Sequence, residues 1–336
     1  MKITIAGGGG LGHVCAAVAS SHSDIEISML TGRPAQWSNR ISATDPDGKV
    51  YQGTLARISS DPRDVVPDAD IVLLCLPGYL IEKELQSIKP CLGSKTVVGS
   101  IVASTGFFFQ AHKILPASTP LFGFQRVPFI SRVAEYGHSS LLLGYKDRLA
   151  VAIENSTDSE ALRLALEHAF DTPVSLLSNF YEAALTNSNP ILHTGRLYTM
   201  WHNWDGTPFD HQTLFYYEWD DESAQTLIDM DNEFMAILDR LPVRRGAIPS
   251  LLEYYESSDA ASLAAKIRSI PAFKPITAPM KQTDSGWVPD YTSRYFTEDF
   301  PFGLRYIKET AVEHSVDTPV IDRVLAWGLS VSGYRR

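Results

Sequence analysis

The sequence predicts an α/β fold: a doubly wound parallel sheet followed by a mostly α-helical second domain. Strand and helix patterns alternate from residue 2 to about residue 178, as parallel strands joined by crossover helices do. From Tyr181 onward the strand pattern stops and the spacing becomes helical. The chain also opens on a short apolar strand that runs straight into Gly7-x-Gly9-x-x-Gly12 and then into an Ala- and Val-rich helix. With 336 residues the chain is long enough for two domains, expected at 1–178 and 179–336.

The elements follow in order. Strand 2–6 leads through the glycines to helix 11–21, and strand 26–30 comes next. Segment 54–59 reads as a further strand. Segment 71–76 is continuously apolar, as parallel strands buried on both faces are, and Pro77-Gly78 ends it. Helix 80–88 and strands 96–102, 119–124, 140–145 and 149–153 continue the series. An amphipathic helix over 158–170 and a last strand over 173–177 close the first domain. In the second, loops rich in Pro, Trp and Tyr fall between 201 and 219 and between 271 and 289.

Composition narrows the function. A net charge of −10 argues against a nucleic-acid partner, which normally requires a basic stripe. Cys15, Cys75 and Cys91 match no metal-ligand spacing, and no metal is assigned. An odd cysteine count without a secretory signal fits a reducing compartment. The longest apolar run is far short of a membrane span. The first strand begins at residue 2, leaving no room for a cleavable leader. A soluble cytoplasmic protein is the expectation, with a homodimer left open.

Gly7, Gly9 and Gly12, between a strand and a helix, form the dinucleotide-binding (Rossmann) fingerprint. The backbone of Gly7 to Gly12, with Gly10 and Leu11, is expected to cradle a pyrophosphate at the helix N-terminus. Strand two ends Ser28-Met29-Leu30-Thr31-Gly32-Arg33 without the acidic residue that accepts from an NAD ribose. Thr31 can donate to a phosphate and Arg33 can pair with it bidentately, and Arg40 lies nearby. NADP(H) is therefore preferred, with NAD(H) the alternative. The Leu76-Pro77 turn, at the carboxyl end of a strand, is a further cofactor contact or an ordinary strand terminator.

Two segments of the second domain carry candidate chemistry. In Asn189-Pro190-Ile191-Leu192-His193, a helix starting at Pro190 places Asn189 and His193 on one face. The histidine can donate and accept protons near neutrality. In 293–303 an arginine, two carboxylates and a proline crowd one short stretch. A carboxylate there can orient a histidine, and Arg294 can hold a substrate carboxylate. Spacing alone cannot join the two segments. Arg294 and Glu298 can also form a solvated i,i+4 pair, and a lone helix histidine is often structural.

At these residues the chain resembles the opine dehydrogenase family (octopine/nopaline dehydrogenase type, 6-phosphogluconate dehydrogenase-like superfamily). The resemblance covers nearly the whole chain. It includes the glycine fingerprint, Leu76-Pro77-Gly78-Tyr79, Gln125-Arg126-Val127-Pro128-Phe129-Ile130-x-Arg132 and Gly144-Tyr145-Lys146. Its most specific pieces are Asn189-x-x-x-His193 and Arg294-Tyr295-x-x-Glu298-Asp299-x-Pro301-x-Gly303. The resemblance implies a Rossmann domain and a helical domain with substrate in the cleft between them. It implies a His193–Asp299 catalytic dyad, Arg294 on a carboxylate, and Asn189 as a positioning residue. The implied reaction condenses a 2-oxo acid, often pyruvate, with the amino group of an amino acid and reduces the imine with NAD(P)H. The family's His-Pro pairing reads His193-Thr194 here, and the chain is shorter than many members, which bears on the substrates more than on the dyad.

Gln125, which follows strand 119–124, is a further substrate contact by position, and Arg126 either shares that role or anchors a loop. The aromatic stretch from Trp201 to Trp219 is either core or a pocket wall. Two other readings compete. A ketopantoate-reductase-like or hydroxyacid dehydrogenase would reduce a 2-oxo acid without an amine, using Lys146 or Lys266 as proton donor. A non-enzymatic redox sensor would keep the glycines but has no use for His193, Asp299 and Arg294.

Overall fold

The alternating half forms a single mixed sheet in the computed structural model, which describes residues 1–334. Its elements are β1 (Lys2–Ala6), α1 (Gly10–Ser20), β2 (Glu26–Leu30), β3 (Arg40–Thr44), β4 (Val50–Ser59), α2 (Pro62–Val65), β5 (Ile71–Leu74), α3 (Gly78–Ile88), β6 (Val97–Ser100), α4 (Phe107–Ile114), β7 (Leu121–Phe124), β8 (Phe129–Glu135), β9 (Ser139–Tyr145), β10 (Leu149–Glu154), α5 (Ser159–Phe170), β11 (Val174–Leu176) and α6 (Phe180–Ala184). The strand order is β11-β10-β7-β6-β5-β1-β2-β4-β3-β9-β8. From β7 to β4 every pair is parallel.

Residues of β5 show why that stretch is apolar throughout. Ile71 and Leu73 enter the core with Val14, Val18 and Leu166 of α1 and α5. Val72 and Leu74 enter the core with Ile81, Leu85 and Phe107 of α3 and α4. Both faces of the strand are covered by helices, so neither can be polar.

The sheet departs from the purely parallel expectation at its edges. β10 runs antiparallel to β7, β3 to β4, and β8 to β9. β3 and β8 were not expected as strands. Arg-Ile-Ser-Ala-Thr of β3 is half polar, and β8 is an edge strand whose residues are mostly exposed. β3 alternates, with Ile41 and Ala43 buried, but over only five residues, whereas β8 shows no clean two-residue alternation.

The chain divides into two units after Ala184, not after residue 178. The physical reason is α6, which packs on β7 and β10 and sends Ala183 and Ala184 into the sheet core. The second unit holds α7 (Asn189–Trp201), α8 (Asp221–Leu238), α9 (Leu251–Tyr254), α10 (Ala260–Ser269), β12 (Met280–Thr283), β13 (Gly286–Pro289), a π-helical segment (Tyr295–Leu304), α11 (Arg305–Glu313) and α12 (Pro319–Ser332). The hairpin β12–β13 corrects the expectation that strands end with the first domain. Too short to show periodicity, it closes on the two-residue turn Asp284-Ser285, a turn signal of the usual kind. Among the described residues no helix is long and apolar enough to cross a membrane.

Candidate active site

In the sheet unit the glycine turn folds as its spacing requires. Gly7 sits at φ +123°, and a Cβ there would lie 2.5 Å from the Cys75 carbonyl oxygen. A Cβ on Gly12 would overlap the Gly7 carbonyl oxygen, so only glycine lets α1 pack this closely on the turn. Gly9 caps α1 with no side-chain partner for the first-turn N–H groups, which leaves them to an anion. Beside this turn lies a cavity of about 560 Å³, lined among others by Gly7, Thr31, Arg33, Leu76, Lys83 and Tyr136. That volume suits a bound organic cofactor.

Four of the expected cofactor residues, Gly7, Thr31, Arg33 and Leu76, line the cavity. Gly9, Gly10, Leu11, Gly12 and Pro77 do not. Gly12 serves the packing of α1, Leu11 packs against the sheet core, and Gly10 faces Ser131. Arg40 opens β3 away from the lining. Sequence reasoning missed Gly8, Lys83, Glu84 and Tyr136. A Cβ on Gly8 would lie 2.6 Å from the Tyr136 hydroxyl, and the Arg33 guanidinium lies over the Tyr136 ring at 5.7 Å. Burial raises the Glu84 carboxyl above its ordinary range.

His13 ties the β8–β9 turn to the glycine loop. Its Nδ1 lies 2.9 Å from the Gly9 carbonyl, and its Nε2 accepts the Gly137 N–H at 2.7 Å. The ring rests on Trp37 at 4.3 Å and Tyr136 at 5.2 Å. Such bonding needs a neutral ring, and burial lowers its proton affinity below the ordinary value of 6.5. Below that pH the unfolded chain binds a proton that the native ring refuses, so stability falls as pH falls. Denaturant midpoints from pH 7.5 to 5 should fall more steeply for the wild type than for His13→Gln, and parallel curves would contradict this role.

In the helical unit α7 and the π-helical segment meet. Pro190 sits in the first turn of α7, where its missing N–H costs nothing. A Cβ on Gly303 would lie 2.5 Å from Pro190 Cγ, so this glycine allows the close approach of the two elements. Phe296 and Phe300 anchor the π-helical segment by stacking at 5.4 Å. Extended π-helices are rare, and π-turns are frequent at functional sites.

Across this contact His193 Nδ1 lies 2.8 Å from Asp299 Oδ2. Both side chains are mostly buried, at 11% and 18% exposure. A carboxylate accepting Nδ1–H selects the tautomer with its lone pair on Nε2. That nitrogen lies 2.8 Å from the Tyr216 hydroxyl. Burial raises the ionisation of Tyr216 far above its ordinary range, and Tyr295, Tyr255 and Asp299 add to the rise. Arg196, one turn beyond His193, holds the loop that carries Tyr216. Its guanidinium donates to Asp220 Oδ2 at 3.0 Å, Ser223 Oγ at 2.6 Å and the Glu218 carbonyl at 2.6 Å.

Arg294 precedes the π-helical segment with its side chain exposed. Asn189 is the first residue of α7, also exposed. Gln125 belongs to the sheet unit, where its Nε2 donates to the Glu182 carbonyl at 3.0 Å and thereby tethers α6. Trp201, Phe215, Tyr216 and Trp219 are buried, so that part of the aromatic stretch is core. Lys266 pairs with Glu256 at 2.6 Å on the surface, and Lys146 follows the exposed end of β9.

Known proteins resemble this chain in sequence and structure. Residues 176–332 match the family model described as NAD/NADP octopine/nopaline dehydrogenase, alpha-helical domain. Tauropine dehydrogenase of Arabella iricolor is 29% identical, with 98% of this chain and 91% of that protein covered. Octopine dehydrogenase of Mizuhopecten yessoensis is 26% identical, over 97% of this chain and 89% of that protein. A solved octopine dehydrogenase with NADH and L-arginine superposes with a TM-score of 0.87 at 25% identity, covering 99% of this chain and 90% of that one. The helical unit thus matches the octopine/nopaline dehydrogenase family model, and nearly the whole chain is similar to dehydrogenases of that kind.

Proposed function

We propose that the chain is an NAD(P)H-dependent opine dehydrogenase that condenses a 2-oxo acid with the amino group of an amino acid and reduces the resulting imine. The observation that carries this reading is the His193–Asp299 pair at 2.8 Å, with Arg294 one turn before Asp299. Pyruvate is the first oxo acid to test, because a solved octopine dehydrogenase similar to this chain was determined with NADH and pyruvate. Relatives named for tauropine and octopine suggest a small or basic amine partner.

Arg294 pairs with a substrate carboxylate through its planar fork and fixes its orientation. Asn189 positions the substrate from the start of α7. His193 takes a proton from the incoming ammonium so that the amine can attack the carbonyl. Loss of water leaves the imine. The nicotinamide supplies a hydride to the imine carbon when bound. His193, held by Asp299, then returns a proton to the product. Holding both substrates in one orientation can contribute roughly 7–11 kcal/mol. Arg294→Gln should raise the KM for the oxo acid by about 10–100-fold, the cost of a charged hydrogen-bond pair. An unchanged KM would remove Arg294 from the site.

We assign NADP(H) as the preferred cofactor. Thr31, Arg33 and Lys83 bring hydroxyl and cationic groups to the cavity, while Glu84 is held toward its neutral form. Arg33→Ala should weaken NADPH binding about 10–100-fold and leave NADH nearly unchanged, read by cofactor fluorescence titration. Equal losses for both cofactors would point to NAD(H).

NAD(P)H oxidation should require an oxo acid and an amine together. Oxidation with the oxo acid alone, at the same rate, would replace this reading with a ketone reductase.

A further inference from the structure

Both ring nitrogens of His193 are engaged by protein, each at 2.8 Å: Nδ1 by Asp299 and Nε2 by the Tyr216 hydroxyl. An imidazole held this way offers substrate no nitrogen of its own. With Nδ1–H directed at Asp299, the lone pair sits on Nε2 and the Tyr216 O–H donates to it. Every proton that enters or leaves Nε2 must therefore cross the Tyr216 oxygen, or the hydroxyl must be displaced.

We propose that Tyr216 is a catalytic residue, the hydroxyl through which protons pass between His193 and the substrate nitrogen. The inference rests on the dyad reading above. In the reductive direction, imidazolium Nε2–H passes its proton to the Tyr216 oxygen while the Tyr216 O–H proton moves to the substrate nitrogen. One N–H and one O–H bond break, and one O–H and one N–H bond form. His193 ends neutral, Tyr216 ends as a phenol, and the substrate gains one proton. The reverse sequence deprotonates the incoming ammonium.

Displacement is disfavoured by how the phenol is held. Its ring stacks on Phe273 at 4.3 Å and 21°, and on Trp219 at 6.0 Å and 10°. The loop that carries it is clamped by the buried Arg196 guanidinium. A ring so packed cannot swing without unstacking from Phe273 and Trp219. Burial also keeps Tyr216 from ionising, which suits a hydroxyl that exchanges one proton for another without becoming tyrosinate.

The test compares Tyr216→Phe, which keeps the stacked ring, with His193→Ala and the double variant. Turnover is read as NAD(P)H oxidation with pyruvate and pooled amino acids, beside thermal midpoints and NAD(P)H binding. The expected result is a kcat loss of about 10²–10⁴-fold for Tyr216→Phe, with stability and cofactor binding retained. The double variant should be no worse than His193→Ala alone, since the two act as a unit. Wild-type kcat in Tyr216→Phe with His193→Ala inactive would overturn the relay and leave the dyad standing. Wild-type kcat in both would overturn the dyad reading and the relay with it. Should Tyr216→Phe fail to fold, the wild-type enzyme in H₂O/D₂O mixtures still decides: a curved proton inventory supports two protons in flight, and a linear one overturns the relay.

Discussion

Asp299→Asn should fold and bind cofactor as the wild type does, yet lose about 10²–10⁴-fold in kcat. The carboxylate is placed only to accept. Its Oδ2 lies 2.8 Å from Nδ1 of His193 and so keeps the proton on that nitrogen. An asparagine can turn its amide N–H toward Nδ1 instead, which moves the ring proton to Nε2 and blocks that nitrogen as a base. The shape of the site changes little, because the two side chains are nearly isosteric. Stopped-flow turnover beside cofactor titration checks this, and a variant within a few-fold of wild-type kcat would show that Asp299 does not orient the base.

Gly12→Ala should remove cofactor binding and destabilise the sheet unit by about 3 kcal/mol, the upper range for an overpacked site. The new methyl would overlap the Gly7 carbonyl oxygen, which is backbone and cannot rotate away. Gly9→Ala is the matched control, since nothing lies within 4 Å of a Cβ there. It should fold with near wild-type stability, and any loss of NAD(P)H affinity then reports the approach of the cofactor alone. Urea midpoints and cofactor titration on the two variants separate packing from binding. Equal stability in both would contradict the close contact of α1 with the glycine turn.

Features written in local sequence were legible. The run Ile71 to Leu74 reads as a doubly covered strand because helices lie on both faces, and the glycine turn reads from its spacing between β1 and α1. β3 was not legible because its alternation spans only five residues with two apolar positions, Ile41 and Ala43, and β8 because a mostly exposed edge strand carries no clean alternation. Tyr136 reaches the cavity beside the glycine turn from the turn of the β8–β9 hairpin, a placement that no short-range pattern encodes. The pairing of His193 with Asp299 spans two distant segments, and only the family resemblance joined them. Tyr216 was hidden for another reason. An aromatic run signals core, and Phe215, Tyr216 and Trp219 are core, yet one hydroxyl among them faces the dyad.

The measurement that tests the account most directly is the mass of the product formed from NAD(P)H, pyruvate and one amino acid at a time. The account predicts a secondary amine whose mass is that of the two substrates joined, less one water and plus two hydrogens. Lactate as the sole reduced product, with the amino acid untouched, would contradict it.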